Sequence, residues 1–259
     1  MSGKRRRKIA GADKRRGENG AVRLDKFLSV TATATRSGTK RAVRAGEVLV
    51  NGIAAADPAA DVDENTAHVV FRGVPVAYRR HHYILLNKPA GFVSATEPEK
   101  NAPGVLSLLP EKYTSLGLFP CGRLDKDTVG LLLLTDDGET AHRLLAPRRH
   151  VEKRYRFSVE QPLTGREKAA FLAGVTLSDG TVTAPADIEP DDTGQGGVIT
   201  LTEGKYHQIK RMMGALGNRI TFLERVSFGP LTLPPDLPRG AWRPLTEAEE
   251  KALLDAAGN

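Results

Sequence analysis

The chain has 259 residues, with 38 Lys and Arg against 31 Asp and Glu, a formal net charge of +7. Apolar residues make up 40%, enough for a buried core, and the length suits two domains better than one. A single cysteine, Cys121, excludes an internal disulfide framework and a Cys-rich metal site, and no apolar run approaches the roughly 20 residues that a membrane span needs.

The charge is unevenly spread. Residues 1–20 carry a net +6, residues 21–80 a net +3 and residues 81–259 a net −2. The basic excess therefore lies in the first third, the pattern of a polyanion-binding front on a near-neutral body. The charged start lacks the apolar segment of a secretory signal, so a cytoplasmic protein is expected. Lys4-Arg5-Arg6-Arg7-Lys8 and Lys14-Arg15-Arg16 have no apolar period and read as a disordered basic tail. Such a tail either attracts RNA phosphates or simply keeps the protein in solution.

Residues 21–80 read as a small helical unit with strands. Leu24, Phe27 and Leu28 give one apolar helix face. A second helix is expected to start at Thr35 or Ser37, either of which could cap it, and to stop at Gly46. The threonine-rich stretch Thr31–Thr35 leaves the boundary between the two helices open. Lys40 and Arg44 share a helix face, with Arg41 beside them. Glu47–Val50 reads as a strand, Asn51-Gly52 as a tight hairpin turn, and His68–Phe71 as a further strand. The domain boundary is placed near Arg80, in the stretch Tyr78-Arg79-Arg80-His81-His82. Adjacent histidines point apart on a strand, so this pair is not read as a metal site.

From Tyr83 onward short strands alternate irregularly with helices. Strands are expected at Tyr83–Leu86, Leu131–Leu134, Tyr155–Val159 and Val198–Leu201, and helices over 165–173 and 246–256. Without a βαβ rhythm the body is α+β. No phosphate-binding glycine loop, metal-ligand motif or nucleophile elbow is present. The segment Cys121-Gly122-Arg123-Leu124-Asp125-Lys126-Asp127-Thr128-Val129-Gly130 runs from a charged loop into an apolar strand. That mouth would hold Asp125 rigidly, as a catalytic carboxylate requires, with Arg123 as a nearby opposite charge. The same residues could equally be a salt-bridged turn capping a strand.

Gly122-Arg123-Leu124-Asp125 followed by Thr128, Gly130, the leucine run and Asp137-Gly138 resembles the signature of the pseudouridine synthases. The branch it is most similar to is the RsuA type, which acts on 16S ribosomal RNA. Leu86-Asn87-Lys88-Pro89-Ala90-Gly91-Phe92, Glu152-Lys153-Arg154-Tyr155 and Glu203-Gly204-Lys205-Tyr206-His207-Gln208-Ile209-Lys210-Arg211-Met212 continue the resemblance in order. Gly217-Asn218, Leu223, Arg225, Gly229 and Arg243–Thr246 extend it. Arg23–Leu28 and Thr39–Gly52 resemble an S4 RNA-binding domain.

The resemblance implies an S4 domain over 21–80 and a catalytic domain over 81–259, the latter a mixed, mainly antiparallel sheet with flanking helices. It implies isomerisation of a uridine in 16S ribosomal RNA, of the uridine-516 type, to pseudouridine. Asp125 would be the catalytic carboxylate, either attacking C1′ or taking a proton from C2′. Tyr155 would stack on the uracil and Lys210 would pair with Asp125. Arg123 and Arg211 would contact phosphate or fill the gap left by a flipped base, and Leu223 would pack against the base. Arg23, Lys40, Arg41 and Arg44 would touch RNA. The reaction is neither redox nor hydrolytic, so no cofactor or metal is expected. The expected state is a monomer with ribosomal RNA, or a partly assembled small subunit, as partner and no membrane. Lys210 stands where arginine is common across the wider superfamily, and lysine makes no two-pronged contact. A 23S enzyme of the same family and a catalytically idle assembly factor are the alternatives. An acid–base hydrolase on Asp125 and Asp127 is disfavoured by the turn-like stretch around Lys126.

Overall fold

The computed structural model describes residues 21–99, 102–114 and 116–258. The basic tail expected over 1–20 lies outside the described residues. The chain divides into two compact units between Arg80 and His81.

The first unit runs β1 (Ala21–Arg23), α1 (Leu24–Val30), α2 (Arg36–Arg44), β2 (Val48–Val50), β3 (Ile53–Ala54), β4 (Asp61–Asp63), β5 (Val69–Phe71) and β6 (Val74–Val76). Strands β3-β2-β5-β6 form one antiparallel sheet, and β1 pairs with β4 in a ribbon. Leu24, Phe27 and Leu28 are completely buried and pack with Ala42, Val43, Val48 and Val69. The threonine run ends α1 by local bonding. The Thr31 hydroxyl donates to the Phe27 and Leu28 carbonyls, and Ala32 turns to a φ of 53°. Thr35, not Ser37, caps α2: its hydroxyl accepts from the Gly38 amide. Asn51-Gly52, with φ of 51° and 81°, closes the β2–β3 hairpin. A second such turn, Arg72-Gly73, joins β5 to β6; the sequence reading missed it, because arginine seldom takes a positive φ.

The second unit runs β7 (Tyr83–Lys88), α3 (Glu111–Thr114), β8 (Phe119–Cys121), β9 (Val129–Thr135), α4 (Gly138–Leu145), β10 (Lys153–Val159), α5 (Arg166–Ala173), β11 (Asp187–Pro190), β12 (Gly196–Leu201), α6 (Gln208–Ala215), β13 (Ile220–Phe228), β14 (Leu231–Thr232), β15 (Trp242–Pro244) and α7 (Glu247–Ala257). One sheet orders them β11-β12-β10-β13-β9-β7-β15, with β14 added to β13 and β8 to β9. Each pairing is antiparallel except β9 with β13.

Strands β7 and β9 are buried at every position. Ile84, Leu86, Leu132 and Leu134 join a core that includes Phe171 of α5 and Ile209, Met212 and Met213 of α6. Tyr83, Leu85, Leu131 and Leu133 join another, with Ala141 and Leu144 of α4 and Leu253 of α7. Successive side chains on a strand face opposite ways, so a continuous apolar run is what a strand covered on both faces requires. The Asp136-Asp137-Gly138 end of the charged motif is architectural. Asp137 Oδ1 accepts from the Glu139 and Thr140 amides at 3.1 and 3.0 Å and caps α4. Asp136 accepts from the His82 amide at 2.8 Å and lies 2.9 Å from its Nδ1, which accounts for the histidine pair. Among the described residues no helix is long and apolar enough to cross a membrane.

Candidate active site

Beside the parallel pairing of β9 and β13, which spans just Glu224–Val129 and Arg225–Gly130, lies a cavity of about 1150 Å³. Its walls come from the loop before β9, from β10, β13 and the loop leading into α6. Gly130 makes the close approach possible. Its φ is +100°, and a Cβ there would stand 2.3 Å from the Arg225 carbonyl oxygen.

Asp125 sits in the loop between β8 and β9 and contributes to the cavity wall. Its carboxylate is 23% exposed; Oδ2 lies 2.9 Å from Lys210 Nζ and Oδ1 lies 3.4 Å from His207 Nε2. The loop is held from below. Lys88, at the end of β7, has no exposed surface, and its ammonium donates to the carbonyls of Pro89, Asp125, Lys126 and Thr128 at 2.8 to 3.3 Å. Burial brings Lys88 down to about 8, against the pull of Asp127 and Asp125. Ser94 adds a second tie, its hydroxyl donating to the Leu124 carbonyl at 2.9 Å and accepting from the Leu124 amide at 3.0 Å.

Lys210 projects from the first turn of α6 and bridges two carboxylates, Asp125 and, at 2.5 Å, Asp127. Burial works to lower Lys210, but the bonds and charges of Asp127 and Asp125 outweigh it and raise the group above its usual value. The entry to α6 is ordered by Glu203. That carboxylate accepts from the Gln208 side chain at 2.7 Å and the Ala184 amide at 2.9 Å and pairs with Lys205. His207 takes a φ of +49° at the helix start, and Tyr206, 75% exposed, stacks on its ring with 3.8 Å between centroids. Tyr155 and Leu223, both nearly buried, line the cavity with Asp125 and Lys210.

The structure thus brings Asp125, Tyr155, Lys210, Leu223 and the exposed Arg123 to one cavity. Among the described residues Asp125 ion-pairs with Lys210, the partner the resemblance implied, and not with Arg123, while the His207 imidazole lies 3.4 Å away. Arg211 is not part of the cavity wall but pairs with Asp179 at 2.6 Å; one residue along a helix is about 100° around it, so Lys210 and Arg211 serve different faces. Lys88, Ser94 and His207 carried no role in the sequence reading. The signals available for Lys88 were its place at the end of an apolar strand and inside the motif Leu86–Phe92.

In the first unit Lys40, Arg41 and Arg44 are exposed on α2, and Arg36 extends the same row one turn earlier. Arg23 lies apart from them in sequence, on β1, and is held by Asp25 through two hydrogen bonds of 3.1 and 2.8 Å.

Residues 82–215 match the family model for RNA pseudouridylate synthase, and residues 22–67 match the S4 domain. An uncharacterized RNA pseudouridine synthase of Bacillus subtilis (strain 168), YtzG, is 42% identical over 237 residues, covering 90% of this chain and 98% of the relative. Ribosomal small subunit pseudouridine synthase A of Escherichia coli (strain K12) is 38% identical over 242 residues, covering 90% and 100%. A crystal structure of a pseudouridylate synthase superposes with a TM-score of 0.63 at 34% identity, covering 90% of this chain and 99% of that one.

Proposed function

The chain belongs to the RNA pseudouridylate synthase family, and on that footing we propose that it converts a uridine of 16S ribosomal RNA, of the uridine-516 type, to pseudouridine. The observation that carries the reading is the Asp125 carboxylate, ion-paired to Lys210 in a cavity that Tyr155 and Leu223 also line. The similarity to small subunit enzymes over nine-tenths of the chain supports the choice of RNA. Ribosomal RNA is the partner, alone or in a partly assembled subunit, and the cytoplasm is the setting.

In the proposed reaction the N1–C1′ bond breaks, the uracil turns, a C5–C1′ bond forms, C5 loses its proton and N1 gains one. Asp125 acts at the sugar, by attack on C1′ or by taking a proton from C2′. Lys210 holds that carboxylate in position and balances its charge. Tyr155 supplies a flat ring for the uracil and a hydroxyl for proton movement at C5, and Leu223 packs against the base. Arg123, on the exposed rim, contacts phosphate or fills the gap left by the extruded base. Arg36, Lys40, Arg41 and Arg44 give the first unit a basic face for structured RNA.

The test is a carbodiimide primer-extension map of ribosomal RNA from cells with the gene, without it, and with Asp125→Asn. The expected result is a single 16S stop that needs the gene and is missing in the variant. A stop lost from 23S RNA would move the substrate, and no lost stop would leave an idle RNA-binding factor.

A further inference from the structure

Two of the cavity's cations, Lys153 and Arg225, pair with no carboxylate among the described residues. Lys205 is paired with Glu203, and Lys210 with Asp125 and Asp127. Lys153 and Arg225 line the same cavity without an ion pair among the described residues. Lys153 Nζ makes one hydrogen bond there, to the Val151 carbonyl at 2.7 Å. Arg225 is 1% exposed; its Nε donates to the Leu131 carbonyl at 2.7 Å, and its Nη2 is buried without a partner among the described residues. Buried guanidinium hydrogens are costly to leave unsatisfied, so this nitrogen calls for an acceptor.

The two cations lie together. Both stand over the Phe228 ring, at 5.8 Å for Lys153 and 5.2 Å for Arg225. Gly122 completes the corner: its lack of a side chain leaves backbone in the cavity wall, where a Cβ would meet Leu145 at 3.2 Å and Arg225 Nη1 at 3.9 Å. Burial, and then the Arg225 charge, brings Lys153 down to about 8, with Glu203 pulling the other way. Cys121 offsets nothing as an anion, because burial pushes its thiol up to about 12. An incoming anion would offset both charges. The cavity also exceeds the roughly 300–1,000 Å³ usual for a small ligand, which leaves room beyond a single base.

We propose that Lys153, Arg225 and the Gly122 backbone form a subsite for one phosphodiester of the RNA substrate, separate from the Asp125–Lys210 pair. The proposal rests on the reading that the cavity receives a nucleotide of an RNA. Lys153 gives the anion a direct ammonium contact, and Arg225 supplies charge and a hydrogen-bond donor from beneath.

The experiment uses a small-subunit rRNA hairpin with a native backbone, and the same hairpin with a neutral methylphosphonate at each loop linkage in turn. Dissociation constants are measured for the full-length wild-type chain, Lys153→Gln and Lys153→Arg. Neutralising one particular linkage should weaken wild-type binding about tenfold. Lys153→Gln should weaken binding of native RNA by a similar factor and lose its sensitivity to that linkage, whereas Lys153→Arg should keep it. Loss on every RNA alike, with the linkage effect intact in Lys153→Gln, would overturn the subsite. So would a wild type indifferent to every linkage, an outcome that stands even if Lys153→Gln does not fold. Binding needs no turnover, so a chain that binds in this pattern yet makes no pseudouridine would sink the reaction and keep the subsite.

Discussion

Asp125 and Asp127 lie two residues apart and share one lysine, yet their surroundings differ. Asp125 is 23% exposed and faces the cavity, while Asp127 is 74% exposed on the other side of Lys210. Burial works to raise Asp127, but its bond to Lys210 outweighs it and holds the group below its usual value. A general acid needs the opposite shift, so the pair is unsuited to acid–base hydrolysis. At the same scale, Gly130→Ala should be severely destabilising. The added methyl meets the Arg225 carbonyl oxygen at 2.3 Å and its nitrogen at 2.9 Å, backbone atoms that cannot swing aside. A cost of about 3 kcal/mol or more is expected from strain and overpacking together, read as a lower urea midpoint. Gly138→Ala is the control: nothing lies within 4 Å of its added methyl, and the midpoint should hold or rise.

Helix α7 shows how an element's ends are written into it. Thr246 and Glu249 form a reciprocal capping box, and Arg243 of β15 grips Glu249 with two bonds of 2.7 Å. The Arg243 guanidinium is the first cause, and burial opposes it, in a shift that takes Glu249 down to about 2. A carboxylate lowered in the folded state stabilises above its unfolded value of 4.5 and loses that contribution as pH falls towards 2. Glu249→Gln should therefore cost about 1 kcal/mol at neutral pH, within the usual span for a lost cap. In thermal melts the gap between the two proteins should close between pH 4.5 and 2; a gap unchanged at pH 2 would show that the charge is not its source.

At the scale of the whole molecule, the first unit carries the exposed basic row of α2 and the second the cavity. Replacing Lys40, Arg41 and Arg44 together with Gln should weaken binding of an rRNA fragment most at low salt. Each lost phosphate contact should lower the slope of log K against log salt by about 0.7–0.9. An unchanged slope would mean that this helix does not touch the RNA. The fold stays intact in this test, because all three side chains are exposed.

What the sequence determined by itself is what local chemistry encodes. Asn51-Gly52 had to turn, Leu24, Phe27 and Leu28 had to share a face, and the unbroken leucines of β9 demanded cover on both sides. The motif Gly122–Asp125 pointed to its carboxylate, and the ordered motifs pointed to the family, because both are written in consecutive residues. Beyond the Asp125–Lys210 pairing that the resemblance implied, only the tertiary structure decided the partners. Asp125 meets Lys210 across 85 positions of chain, as Lys88 reaches under a loop 37 to 40 residues away. Spacing alone offered Arg123, next door but one, while the resemblance implied Lys210, and Lys210 is the partner found. Arg211 turned to Asp179 because a helix sends neighbouring residues about 100° apart, and the sequence alone does not say which of them faces the cavity. That Lys153 and Arg225 pair with no carboxylate among the described residues was invisible for the same reason. Whether a cation is paired depends on what folds against it, and pairing between distant residues leaves no periodic trace in the chain.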